Sequence, residues 1–198
     1  IGNNVNINGD AFLDASSGTN SDITVSGNWY NQNITNDGTK GFSPGLTTVT
    51  FNGSDQQFID SDAANEFFNN LVINNSYWAA LAVISPLTCY GDLHILDGAI
   101  GNNEPYYFHG DVIIEPDGVF IGTSTASFIG VNPAVYENNS STASAFMAGV
   151  VLNKSSESTT LTFSTDMAVG SDFDLEKGTL DLNGNTLFSS SVLSVTSE

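Results

Sequence analysis

The sequence contains no arginine and only three lysines, against 22 acidic residues in 198 positions, which gives a formal net charge of −19. Nucleic acids and anionic membrane surfaces are bound by cationic side chains that neutralise phosphates, so this charge excludes both as partners. Acidic polysaccharides would be repelled as well, whereas calcium would be attracted. With 40% hydrophobic residues the chain can still bury a core.

Cysteine and long apolar runs are nearly as scarce. The one cysteine, Cys89, cannot form an internal disulfide, and its apolar surroundings predict a buried small hydrophobe. No apolar run approaches the ~18 residues of a membrane helix, so no membrane insertion is expected. The two histidines, His94 and His109, are too few for a zinc site. The chain begins at Ile1 in mid-pattern, which predicts a processed product or a segment of a longer protein.

A short phrase recurs instead: a strand-like alternation that runs into glycine and then Asp, Asn or Ser. Most intervals between these glycines lie near one or three multiples of roughly 20 residues, the range of solenoid repeats. The recurring pairs begin at Gly9, Gly27, Gly91, Gly110, Gly170 and Gly184. A second similarity relates the segment at Leu71 to the segment at Val150, and we interpret its offset of 79 residues as about four short periods.

Short β-branched and aromatic runs between turn residues predict an all-β chain. Such strands could form an antiparallel β-sandwich or the faces of a parallel β-helix. The repeat register favours a parallel β-helix over residues 1–198 as a single domain. Residues 38–45 and 132–144 break the period and are expected to protrude as loops. Residues 63–69 are the one weak helix candidate.

Two segments resemble a repeat of large secreted surface proteins of the Bacteroidota. The first runs from Thr48 to Gln57 and the second from Phe67 to Ser76. The segment beginning at Gly178 is similar to another part of that repeat. The resemblance covers most of residues 20–190 and implies a right-handed β-solenoid, export to the cell surface, and roles as adhesin or fibre modules. It implies no catalytic residues.

Pairs of acidic residues offer candidate calcium ligands. Asp60 and Asp62 lie on one side of an extended chain, as do Asp172 and Asp174, because side chains alternate along a strand. Hard carboxylate oxygens suit calcium, but no complete calcium loop motif is present. We therefore expect either a calcium site or solvated turn acids at each pair, and no cofactor that the protein requires.

Adjacent aromatic pairs offer candidate ligand contacts. One member of each pair points inward and the other outward in a strand, and outward rings could stack on sugars. The alternative is that these rings cover the core. The candidate contacts are Trp29, Tyr77, Trp78 and Tyr106, with Trp78 the first to test.

The sequence therefore favours a non-enzymatic structural or adhesive module of an acidic, secreted surface protein or filament, whose partners are neighbouring modules or copies of itself. The alternative is a carbohydrate-binding adhesin that uses exposed aromatics and calcium. A polysaccharide-degrading enzyme is the least favoured class, because paired acids meet glycosidase spacing by chance and the scarcity of basic residues suits no lyase.

Overall fold

The computed structural model describes residues 3–17, 21–33, 39–62, 66–77, 81–101, 103–142 and 149–196. These residues form 23 strands and no helix. Every strand pairing among them is parallel, and neighbours in the sheets are separated by a full circuit of the chain. The fold is thus a β-solenoid of about eight turns, as the repeat predicted, and not an antiparallel sandwich.

Each turn of the solenoid contributes strands to three faces. The first face begins with β1 (Val5–Ile7), β4 (Trp29–Asn31), β7 (Gln57–Ser61) and β10 (Leu81–Val83). The second comprises a seven-stranded sheet of β8 (Glu66–Phe68), β11 (Leu87–Cys89), β13 (Tyr106–Phe108), β15 (Thr125–Gly130), β17 (Gly149–Lys154), β20 (Phe173–Lys177) and β23 (Leu193–Val195). In the first two coils, β2 (Phe12–Asp14) and β5 (Gly41–Ser43) take the corresponding place in the chain and form a separate two-stranded sheet. The third comprises β3 (Ile23–Val25), β6 (Thr48–Phe51), β9 (Asn70–Asn74), β16 (Ala134–Asn138), β18 (Thr160–Phe163) and β21 (Thr179–Asp181).

Two long strands, β12 (Leu93–Gly101) and β14 (Val112–Phe120), join the third face to the first. The first half of β12 pairs with β9 on the third face, and its end pairs with β10 on the first. Its register shifts between Ile95 and Asp97, where the chain turns the corner. The strands β19 (Met167–Val169) and β22 (Leu187–Ser189) form a separate pair near the end of the stack.

Stacked inward side chains form the core. One column on the second face passes through Leu87, Tyr106, Ala126, Val150 and Phe173, and all five are buried. Alternation along each strand produces this pattern because residues at intervals of two share one face. The apolar columns run through the stack, so each coil is covered by the next.

The recurring glycine–aspartate phrase forms hydrogen-bonded corners between coils. Asn70 Oδ1 accepts a hydrogen bond from Asp92 N at 3.0 Å, and Asp92 Oδ1 accepts one from Asp111 N at 2.9 Å. The glycine leaves room for the side chain below: a Cβ on Gly110 would lie 2.5 Å from Asp92 Oδ1. In further bonds of this kind, a backbone N donates to the side-chain Oδ1 of a residue one coil earlier. The donor and acceptor residues are Asn28 and Asn4, Thr48 and Asp22, Val135 and Asp111, Thr186 and Asp166, and Val192 and Asp172. The repeat is therefore a structural device of the corner.

In two of the recurring glycine pairs, the glycine is required for a different reason. Gly9 and Gly184 have φ angles of +56° and +80°, and no atom lies within 4 Å of a Cβ built on either. These glycines are needed for a left-handed turn rather than for a close approach. Next to Gly9, the exposed Asp10 carboxylate forms an ion pair with Lys40.

Three local expectations from the sequence are corrected by the structure. The candidate helix at 63–69 contains strand β8, because Glu66–Phe68 pairs with Leu87–Cys89 of the next coil. The expected loop at 38–45 contains strand β5, whose Phe42 is buried. The expected loop at 132–144 contains strand β16, which pairs with β14 and β18. Inter-coil pairing thus extends through segments where the repeat is irregular.

The 79-residue similarity has a different meaning from the one predicted. Its first copy lies in β9 on the third face, whereas its second lies in β17 on the second face. The offset is therefore not a whole number of coils. The two similar segments therefore form strands of the same pattern on two different faces of the solenoid.

Candidate functional site

Two polar residues of the segments that resemble the surface-protein repeat, Gln57 and Asn75, are structural. Gln57 is buried, and its Nε2 donates to Val25 O at 3.1 Å while its Oε1 accepts from Gly53 N at 2.9 Å. Asn75 Nδ2 donates to Gln57 Oε1 at 2.8 Å and so joins the two segments of the motif. Buried amides with satisfied partners fix the turn in one geometry. These two buried amides therefore offer no accessible chemistry.

Two of the four candidate aromatic contacts are wrong. Trp29 and Tyr106 have no exposed surface and point into the core. Trp29 packs edge to face against Phe42 and Phe68, with ring centroids 4.8 and 5.2 Å apart. Tyr106 lies 4.9 Å from Phe120. In both of these pairs the first ring is the inward member, and the second rings, Tyr30 and Tyr107, are half-buried.

The other two candidates differ in what can be said of them. Tyr77 is exposed, and its backbone N donates to Asn75 Oδ1 at 2.8 Å. Trp78 lies outside the described residues. Tyr77 therefore stays a candidate ligand contact.

A group of rings on the outer surface of the second face and its corner was not singled out by the sequence. We call Phe67, Tyr90 and His109 the aromatic row. The centroids of Phe67 and Tyr90 are 5.9 Å apart, and those of Tyr90 and His109 are 4.9 Å apart. Tyr90 is 52% exposed, and the other two rings are half-buried. The sequence signal for this row is its spacing: Phe67 and Tyr90 are 23 residues apart, and Tyr90 and His109 are 19 apart, each close to the length of one coil.

The chemistry beside the aromatic row is set by burial. Burial lowers the pKa of His109, and the nearby Lys154 lowers it further, so the ring is neutral at pH 7. Lys154 is itself buried, and its Nζ donates to Ile129 O at 2.9 Å and to His109 O at 3.4 Å. Burial lowers the pKa of Lys154, and Asp111 opposes that shift. Lys154 thus ties three coils together and presents no free cation.

The other histidine lies on a different face. His94 Nε2 is 2.9 Å from Glu115 Oε1 across neighbouring coils, and both side chains are partly exposed. The two histidines therefore do not form one site.

The candidate calcium pairs have the expected alternation. The side chain of Ser61 is buried between Asp60 and Asp62, and Phe173 is buried between Asp172 and Asp174. Asp172 already has a structural role, because its Oδ1 accepts a hydrogen bond from Val192 N of the next coil. Hydrogen bonds from Ser191 and Val192 also lower its pKa. In the part of the chain that the structure describes, no three His, Cys, Asp or Glu side chains are grouped to hold a metal. Calcium at either pair stays a prediction.

A buried acid lies inside the solenoid, where no sequence signal marked it. Glu66 is buried and its Oε2 accepts a hydrogen bond from Asn31 Nδ2 at 2.9 Å. Burial raises its pKa to about 7, although hydrogen bonds from Ser61 and Asn31 act in the opposite direction. A carboxyl group with such a pKa can be a catalytic acid in an open cleft. Here it is sealed from solvent, so it bears on stability.

The thiol is also sealed. Cys89 is completely buried, as predicted, and burial raises the pKa of its thiol to about 12. A thiol that holds its proton so firmly is a poor nucleophile.

No family model, curated protein or solved structure matches this chain. Among the described residues, no helix is long and apolar enough to cross a bilayer.

Proposed function

We propose that this chain is a non-enzymatic structural module, a stiff segment of an acidic extracellular surface protein. The observation that carries the proposal is the coil-on-coil parallel pairing that extends through the 12-stranded and 7-stranded sheets, with apolar columns buried between the strands. Each coil is held by its neighbours, so the stack resists bending and offers a protease few extended segments. The groups with the strongest chemistry, Glu66, Cys89 and Lys154, are buried within it.

The surface charge supports a place outside the cell. A net charge of −19 keeps such a rod soluble and repels neighbouring anionic surfaces. The sequence resemblance to secreted surface proteins of the Bacteroidota points to the same location, and with it to an adhesive role. Immunogold electron microscopy of the native source cells tests this part: gold at the outer surface is expected, and gold confined to the cytoplasm would contradict it.

Enzyme assays on the isolated chain test the non-enzymatic role. The chain is incubated with neutral and acidic polysaccharides, and new reducing ends and unsaturated products are measured. We expect no turnover of these polysaccharides. In a separate digestion, we expect that added protease does not cleave the chain. Saturable turnover that disappears on heating would overturn the proposal.

A second candidate function, glycan binding, is favoured by the aromatic row. Tyr90 offers an exposed ring flanked by two others, and the absence of arginine favours an uncharged ligand. Tyr90→Ala should abolish binding in a titration with neutral oligosaccharides, whereas the matched variant Tyr77→Ala should retain it. Loss of binding in Tyr77→Ala alone would move the site to Tyr77, and no binding by the unaltered chain would end this candidate.

A further inference from the structure

A cluster of polar side chains is buried between the second and third coils. Trp29 and Asn31 point inward from β4, Asn33 follows that strand, and Glu66 begins β8 in the next coil. All four side chains are buried. On one side β1 pairs with β4, and on the other β11 pairs with β8. The cluster therefore lies inside the stack, away from both of its ends.

Hydrogen bonds join three of these side chains. Asn31 Nδ2 donates to Glu66 Oε2 at 2.9 Å, and Asn31 Oδ1 accepts from Asn33 Nδ2 at 3.1 Å. Both ends of the Asn31 amide are used, which fixes its orientation. Asn33 Nδ2 also donates to Ile7 O in the first coil at 3.3 Å. One series of hydrogen bonds thus runs through three coils to one oxygen of the Glu66 carboxyl group.

The other carboxyl oxygen is unpaired. Among the described residues, Glu66 Oε1 and Trp29 Nε1 have no direct hydrogen-bond partner, and neither has Asn33 Oδ1. Burial raises the pKa of Glu66, and the Trp29 side chain is one of the nearby donors that oppose this shift. The indole N–H therefore lies beside the carboxyl group without reaching hydrogen-bond contact with it. Buried polar groups left in this way are costly, and most have a partner.

The chemistry of these atoms limits what can bind between them. A metal ion accepts no hydrogen bond, so it would leave Trp29 Nε1 unpaired. Within the described residues, no group of three His, Cys, Asp or Glu side chains forms around Glu66 to hold one. An apolar molecule would leave both atoms unpaired. A water molecule can accept from the indole N–H and donate to Glu66 Oε1, and buried waters make about three such bonds.

We propose that one buried water molecule binds between Trp29 Nε1 and Glu66 Oε1 and links β4 of the second coil to β8 of the third. The Ser61 hydroxyl, which also acts on the Glu66 carboxyl group, is a further polar neighbour. A donor and an acceptor that face each other beyond direct contact are commonly bridged in this way. This hydration site belongs to the interior and is independent of the aromatic row.

The hydration site accommodates both forms of Glu66. Oε2 accepts from Asn31 Nδ2, so the proton of the neutral acid lies on Oε1. Water has two donors and two lone pairs, so it donates to the carboxylate and accepts from the acid, and it accepts from the indole in both cases. The polar side chains that face Glu66, from Trp29, Asn31 and Ser61, carry no charge. We therefore expect the water to be bound at pH 5 and at pH 8, whereas a metal ion would leave as the carboxylate is protonated.

Crystal structures of the unaltered chain at pH 5 and pH 8 test the hydration site directly. We expect one oxygen peak at about 2.7–3.2 Å from both Trp29 Nε1 and Glu66 Oε1. A direct hydrogen bond between these two atoms, with no peak, would overturn the proposal. A peak that has several oxygen contacts of about 2.4 Å and appears only at pH 8 would overturn it as well, because it indicates a cation.

Oxygen-17 relaxation dispersion counts long-lived internal waters in solution. Glu66→Leu removes the acceptor, so this variant should have one long-lived water fewer than the unaltered chain. Cys89→Ala is the control, because Cys89 is equally buried on the neighbouring strand among apolar side chains. The small apolar space that it opens should stay dry, and the count should not change. An unchanged count in Glu66→Leu would contradict the proposal.

Glu66→Gln keeps the test decisive if Glu66→Leu does not fold. The amide preserves the shape and offers a polar atom at the position of Oε1, so the long-lived water should remain. Loss of one water from folded Glu66→Gln would show that the bound species requires a carboxylate, which contradicts a water held by hydrogen bonds.

Discussion

The buried Glu66 makes stability depend on pH at the level of one residue. Its pKa is about 7 in the folded chain and 4.5 in the unfolded chain, so the folded state holds the proton more tightly. The free energy of unfolding therefore falls as pH rises from about 4.5 to about 7, and Glu66 adds no further change above that.

Glu66→Gln should remove this dependence. The amide keeps the shape and cannot ionise, so the variant should be more stable than the unaltered chain at pH 8, by roughly 3 kcal/mol, and similar at pH 4.5. Urea unfolding of both proteins at both pH values measures the difference in their free energies of unfolding. The contribution of the other acids is the same in the two proteins and cancels in that difference. Equal pH slopes for the two proteins would contradict the burial of an ionisable Glu66.

Gly110 shows why glycine is required at a corner. A methyl group there would lie 2.5 Å from Asp92 Oδ1 and 2.5 Å from Gly91 O, and the backbone atom cannot move aside easily. Gly110→Ala should destabilise the chain by about 1–3 kcal/mol. Gly149→Ala is the matched control, because its nearest atoms lie at 3.7 Å, and it should be nearly neutral. Thermal unfolding of the two variants tests this, and equal melting temperatures would contradict the close contact.

At the level of elements, the corner hydrogen bonds join one strand to the next coil. Asp92 accepts from Asp111 N, and the Asp92 charge is one cause of the raised pKa of Asp111, after burial. Asp92→Asn keeps the acceptor and removes the repulsion, so it should be at least as stable as the unaltered chain.

Asp92→Ala loses the acceptor as well as the charge. It should be less stable than Asp92→Asn by about 1 kcal/mol, the usual contribution of one hydrogen bond. Chemical denaturation of both variants isolates the bond, since the charge is absent from each. Identical midpoints would mean that this corner bond contributes nothing.

Individual strands were predictable where the side-chain pattern is apolar. Val5–Ile7, Ile23–Val25, Thr48–Phe51 and Tyr106–Phe108 are such strands, and each is a short β-branched or aromatic run of the kind from which the all-β fold was predicted. The sequence predicted a weak helix where β8 lies, because the local run of Phe and Asn residues carries no period-two signal. Pairing with Leu87–Cys89 overrides that local preference. It also omitted β5, whose Gly41–Phe42–Ser43 sequence offers one apolar residue.

The candidate site was less predictable than the fold. Alternation predicts that one ring of each aromatic pair points inward, but only the coil register shows which one, and Trp29 and Tyr106 are the inward members. The aromatic row depends on residues 19 and 23 positions apart, so it exists only once coils are stacked. The burial of Glu66 could not be predicted from the sequence, because a carboxylate side chain in a strand normally faces solvent.

For the whole molecule, the repeat period predicted a β-solenoid, and the structure has about eight turns of one. The period could not fix which face each segment occupies, because coil lengths vary and the 79-residue similarity relates two different faces. In such a stack, stability is close to a sum of contacts between neighbouring coils. A rod of this kind holds its length through many similar interfaces rather than through one pocket.

Single-molecule force spectroscopy, with the chain stretched between its two ends, tests this account most directly. We expect a series of unfolding steps, each releasing one coil of roughly 20 residues and lengthening the chain by about 70 Å. Stepwise resistance would establish coils held mainly by their neighbours, as a mechanical module requires. Smooth extension without resolved steps would contradict it.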